Sequence, residues 1–180
     1  MNTIFAPDRP SPQEYLDYFE AYISLVGEGN IIEILESQVS TIRAELDELD
    51  AESASVLHPP YTWTIKQVIG HCVDTERIFG YRACRFAAAD GTALPGFDQD
   101  AFVNNTDYTR VDLPDLIDEL EYLRRGNVAM FKRQTPESWL RQGAGDGKSM
   151  SVRAASYIMA GHITHHLKII QERLATTPPA

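Results

Sequence analysis

Positive charge is what this chain has least of: 16 Lys and Arg stand against 26 Asp and Glu over 180 residues, a formal net charge of -10. The basic residues form no stripe. Proteins that hold nucleic acid neutralise phosphates with clustered Lys and Arg, so DNA and RNA are excluded as partners. Long apolar runs are missing too, and nothing approaches the roughly 20 residues that span a bilayer, so no membrane partner is expected. The opening MNTIFAPDRP has no basic start followed by an apolar run, so no secretory signal is expected. Cysteine is scarce. Cys72 and Cys84 fall in one expected helix, where the helical rise sets them roughly 18 Å apart, beyond disulfide reach. A reducing, cytoplasmic location follows. No run alternates with period two for long enough to make a strand, and there is no internal repeat.

What is present suits one domain over residues 1–180, with 1–10 and 175–180 as extended tails. Ser11-Pro12-Gln13-Glu14 has the form of a capping box that opens a leading helix to about Val26. Asn30 caps a second, whose Ile31, Ile34, Leu35, Val39, Ile42, Leu46 and Leu49 recur at three and four. Thr64, with Gln67, opens a third helix that Asp90-Gly91 stops. Asp112 caps a fourth, running to about Gln134. Gly143, Gly145 and Gly147 read as a flexible connection. Ser149 or Ser151 then opens the last helix, to about Leu174. The fold class is all-α, a bundle of four long helices with a shorter leading helix and a long loop from Asp90 to Val111.

The last helix carries Gly161-His162-Ile163-Thr164-His165-His166. His162 and His166 lie one turn apart on the face shared with Ala155, Met159 and Ile169, which makes a two-point clamp for a metal ion. Core histidines satisfied by hydrogen bonds are the plainer alternative, but burying two rings on one line without a partner is expensive. His165 points to one side. His71, at the edge of the third helix's apolar stripe, suits a third ligand reaching across a groove, and equally a half-exposed histidine. Glu76 falls inside that stripe, between Cys72 and Phe79. It is a candidate general base or acceptor for a ligating histidine; otherwise it pairs with Arg82 or Arg85 at the bundle rim. In the long loop, Phe97, Phe102 and Tyr108 could line a small-molecule pocket with Asp98 and Asp100 as polar handles, or simply seal one end of the bundle.

The segment Trp63-Thr-Ile-Lys-Gln-Val-Ile-Gly-His71-Cys-Val-Asp74-Thr-Glu76-Arg-Ile-Phe79, then Leu94-Pro-Gly-Phe-Asp-Gln-Asp100 and Gly161-His162-Ile-Thr-His165-His166, resembles the DinB/YfiT-like superfamily over nearly the whole chain. The resemblance implies an up-down-down-up four-helix bundle, often a homodimer, with a nickel- or zinc-type divalent ion on His71, His162 and His166. It also implies metal-dependent chemistry on a small-molecule substrate, as in thiol-dependent S-transferases, a mycothiol-dependent isomerase and proposed hydrolases. A low-molecular-weight thiol would then be a cosubstrate. Three imidazoles leave coordination positions open, as catalytic rather than structural zinc does. The rivals are a metal-binding or sensing module without turnover, and a metal-free bundle for partner association.

Overall fold

Capping and one-sided apolar repeats set the long helices. The computed structural model describes residues 5–176. In chain order its elements are α1 (Glu20–Ile23), α2 (Ile31–Leu46), α3 (Ala51–Ser55), α4 (Ile65–Ala87), α5 (Gln99–Asn104), α6 (Leu113–Lys132), α7 (Pro136–Trp139), β1 (Gln142–Gly145), β2 (Lys148–Ser151) and α8 (Val152–Thr176). The Asn30 side chain accepts from the Ile32 and Glu33 amides, and Thr64 and Gln67 satisfy each other's backbone reciprocally. Ser151 caps α8, its hydroxyl accepting from the Ala154 amide at 2.9 Å. The α8 helix passes Leu174 and continues to Thr176. Of the two expected tails, residues 1–4 and 177–180 lie outside the described residues.

The directions of the long helices follow from which residues meet. Arg43 reaches Asp118 while Glu36 reaches Lys132, so α2 and α6 are antiparallel. Trp63, just before α4, meets Arg173, and His71 meets His162, so α4 and α8 are antiparallel. Along α4 and α6, however, partners rise together, from Arg77 with Glu119 to Gly80 beside Asn127. These two run parallel. The order is up-down-down-up, and residues 88–112 form the long return that parallel neighbours require. Both α2 and α4 pack against α6 and α8, so the ring order is α2, α6, α4, α8.

Two expectations are corrected. Residues 11–26 form no continuous helix: 3-10 turns at Pro12–Glu14 and Asp17–Phe19 precede the short α1. Glu14 explains part of this, because tertiary contacts hold it. Its Oε2 accepts from the Ser151 hydroxyl at 2.8 Å and Arg153 Nε at 2.6 Å, and its Oε1 accepts from the Ser11 amide at 2.9 Å. The glycines at 143–147 make not a flexible connection but the hairpin β1–β2, turning at Asp146 and Gly147, both with positive φ. Gly143 is there for space: a Cβ would lie 2.0 Å from the Phe86 ring of α4.

Glu14 yields a pH-dependent prediction. Burial pushes its pKa up, but the Arg153 guanidinium, the Ser11 amide and two hydroxyls outweigh that and bring it from 4.5 down to about 2. Its stabilisation is therefore present above pH 4.5 and is lost as pH falls toward 2. Glu14→Gln should cost about 1–3 kcal/mol near neutrality. In urea melts the deficit should shrink progressively through that acid window. A deficit that ignores pH would mean the ionised carboxylate is not its source.

The core divides into two apolar clusters. One gathers Phe86, Phe131, Trp139 and Met150; the other gathers Ile42, Ile65, Leu120 and Ile163. Between them each long helix contributes a polar side chain: Gln38, Glu76, Arg124 and His162. This layer places the candidate site at mid-bundle.

Candidate metal centre

Antiparallel packing of α4 on α8 brings His71 against the one-turn pair His162 and His166. His71 Nε2 lies 3.0 Å from His162 Nε2, which lies 3.1 Å from His166 Nε2. One potential ligand atom from each of the three lies within 4.8 Å of the others. His71 and His162 are buried, and His166 is partly so. Gly70 shapes the approach to His71, since a Cβ there would sit 2.1 Å from the Tyr108 ring. The long loop therefore lies directly on α4 beside the first histidine. Trp63 packs 5.1 Å from the His71 ring and Tyr22 5.4 Å from that of His162, centroid to centroid.

Burial holds these rings neutral. It lowers the pKa of His71 to about 4, with the His165 charge adding to the effect. Burial likewise takes His162 and His166 well below the usual imidazole value, helped by their neighbours' charges. Neutral imidazoles keep a lone pair each, the form in which histidine binds metal. Two nitrogens on one ion, each about 2.0–2.1 Å from it, must lie roughly 3 Å apart. The donor set and its spacing fit a transition-metal ion. His165 stands aside, its ring edge-on to Tyr22 at 5.4 Å, and it is not among the three converging residues.

Glu76 is buried as its register requires, but its partner is neither Arg82 nor Arg85, and the pair is not at the rim. Arg124 Nε donates to Oε1 and Nη2 to Oε2, both at 2.9 Å, and Asn127 Nδ2 also donates to Oε1 at 2.8 Å. Both carboxylate oxygens are engaged. Arg124 also donates to Gln38 Oε1 at 2.8 Å, and Gln38 Nε2 donates to the Ala160 carbonyl of α8 at 2.7 Å. The pair anchors four helices at the level of His162.

A cavity of about 220 Å³ opens onto His71 and His162. The long loop does furnish part of its wall, through Phe97 and Gln99. Phe102 lies outside it, packed against Phe97 at 5.4 Å and 44% exposed. Asp98 caps α5, accepting from the Asp100 and Ala101 amides, and Asp100 is exposed. Sequence reasoning missed Thr75, Arg82 and Lys148, which also line the cavity. A signal existed for two of them, because His71, Thr75, Phe79 and Arg82 recur at four, four and three on α4. A larger groove of about 780 Å³ between α2 and α6 touches none of the histidines.

Comparison with known proteins agrees with this architecture. One solved structure, YfiT from Bacillus subtilis, is described as a probable metal-dependent hydrolase with an unusual four-helix bundle topology. It aligns with a TM-score of 0.75 over 81% of this chain and 84% of its own, at 18% identity. That likeness establishes the fold. No curated protein matches the chain. Among the described residues, no helix is long and apolar enough to cross a membrane. The profile of the DinB superfamily matches residues 34–170, which takes in α4, α6, most of α2 and α8, and the three histidines: the chain belongs to the DinB superfamily.

Proposed function

We propose that His71, His162 and His166 hold one divalent transition-metal ion, of the nickel or zinc type, and that the chain is an enzyme acting on a small molecule in the adjoining cavity. The observation that carries this reading is the convergence of three neutral imidazoles, two of them buried and lining a cavity. The description of YfiT favours hydrolysis as the first reaction to test, and the family resemblance makes thiol transfer the second. When bound, the ion would supply Lewis acidity toward water, a thiol or a substrate carbonyl. The protein's own part is positional. Trp63 and Tyr22 fix the planes of His71 and His162 and keep bulk water from them. The Tyr22 hydroxyl, its pKa raised by burial and by Tyr18, stays protonated and able to donate. Glu76 acts here through Arg124, holding α4, α6 and α8 in register.

The test is metal content and turnover of protein made without a polyhistidine tag. About one ion per chain is expected, with hydrolysis of small esters or amides, or thiol transfer, that chelation abolishes and metal restores. Full turnover in the metal-free protein would overturn the reading. Chelation should leave the fold intact, because two apolar clusters stabilise it without the ion. An ion present at 100 to 1,000 times its Kd stabilises by about 3–4 kcal/mol. Its removal should therefore lower the Tm by roughly 5–15 °C while the helical circular dichroism persists. Collapse to a random-coil spectrum would make the ion structural.

A further inference from the structure

Two buried polar residues on the cavity wall are incompletely matched, one a hydroxyl and one a cation. Thr75 Oγ1 is buried with no hydrogen-bond partner among the described residues, although Thr75 is only 4% exposed. Leaving such a hydroxyl unpaired costs stability. Arg82 is equally buried, at 4%. Its guanidinium donates from Nη2 to the Pro95 carbonyl at 2.9 Å and lies 5.3 Å from the centroid of the Phe79 ring. Among the described residues no carboxylate lies within ion-pairing distance of it. A buried, unpaired charge is disfavoured unless something else neutralises it.

The local charge balance points the same way. The cavity is lined by Arg82 and Lys148 against one carboxylate, Asp146, which Lys148 Nζ already engages at 2.9 Å. Its side chains thus carry one net positive charge, within a protein whose formal net charge is -10. The rings of Phe19, Phe79 and Phe97 line the same cavity, and along α4 Phe79 falls between His71 and Arg82. At about 220 Å³ the space is smaller than the roughly 300–1,000 Å³ that holds drug-sized ligands.

We propose that the cavity selects a small organic carboxylate, with its anionic group on Arg82 and Lys148 and an apolar or aromatic part against the phenylalanine rings. This rests on the proposed metal centre as the reactive end of the same cavity, but the anchoring itself does not use the ion. Among substrates of a hydrolase or transferase, it favours those carrying a free carboxylate away from the bond that breaks.

The experiment measures binding of phenylacetate and hydrocinnamate, each against its uncharged amide, by calorimetry on zinc-loaded and chelator-treated protein. At least one acid should bind about tenfold tighter than its amide, as a charge-assisted bidentate contact warrants, and should do so in both preparations. Arg82→Gln should bring acid and amide within about twofold. Thr75→Val should leave the preference for acid over amide unchanged, since neither probe carries a second polar group. If Arg82→Gln does not fold by circular dichroism, the exposed-side variant Lys148→Gln decides, with an expected several-fold loss of acid preference only. Equal binding of acids and amides overturns the inference. So does a preference that chelation removes and Arg82→Gln spares, for then the carboxylate sits on the ion. Metal content, measured on the same samples, is independent: a chain that takes no ion yet prefers acids keeps this inference and loses the metal reading.

Discussion

Replacing His162 or His166 with alanine is expected to lower metal affinity by more than about 100-fold, beyond the 10- to 100-fold that loss of an outer partner costs. Each contributes an Nε2 to a cluster in which neighbouring nitrogens stand 3.0 and 3.1 Å apart. His71→Ala should behave alike, since it supplies the ligand from α4. His165→Ala should retain the ion, because its ring turns toward Tyr22. Competition against a calibrated chelator measures all four variants. Equal loss in His165→Ala would show that α8 uses a different face, and would remove the basis for the metal centre.

The largest stability effect should come from Glu76→Gln. Glu76 and Arg124 are each 2% exposed in their side chains, so removing one charge strands the other in the core. Breaking a buried pair in this way costs about 3–5 kcal/mol, a fall in Tm of roughly 6–20 °C for a chain of this length. Replacing both residues, as in Glu76→Leu with Arg124→Met, should recover much of that loss, since an apolar pair leaves nothing uncompensated. Metal affinity of the folded Glu76→Gln protein should stay within severalfold of the wild type. A 10- to 100-fold weaker affinity at unchanged Tm would mean instead that Glu76 orients a ligating histidine.

The long helices were legible because caps and three-four spacing act locally: Asn30, Thr64 and Ser151 start helices where their neighbours say they should. So was the approach of His162 and His166, fixed by one turn of α8. The partner of Glu76 was not, because Arg124 lies 48 residues away and meets it only across the bundle. A clue was present, since Arg124 interrupts the apolar stripe of α6 between Leu120 and Val128 as Glu76 interrupts that of α4. Residues 11–26 misled because capping-box spacing cannot reveal that Glu14 is held by Ser151 and Arg153. Glycines at 143–147 misled for a different reason. They read as freedom, whereas here they allow a strand to lie against Phe86. The cavity's Thr75 and Arg82 were obscured because the apolar stripe drew attention away from the adjacent face.

The parallel run of α4 beside α6 also bears on how the chain reaches this state. In the ring α2, α6, α4, α8, helices α2 and α4 sit across one diagonal and α6 and α8 across the other. The one consecutive pair of long helices packed extensively together among the described residues, α4 and α6, must first close the long return between them. No local helical hairpin is therefore available as a starting point. Loop-closure entropy precedes nearly every favourable interhelical contact, and a high contact order follows. This bundle should fold more slowly than an up-down-up-down bundle of equal size, with its polar layer assembled only when all four helices have met.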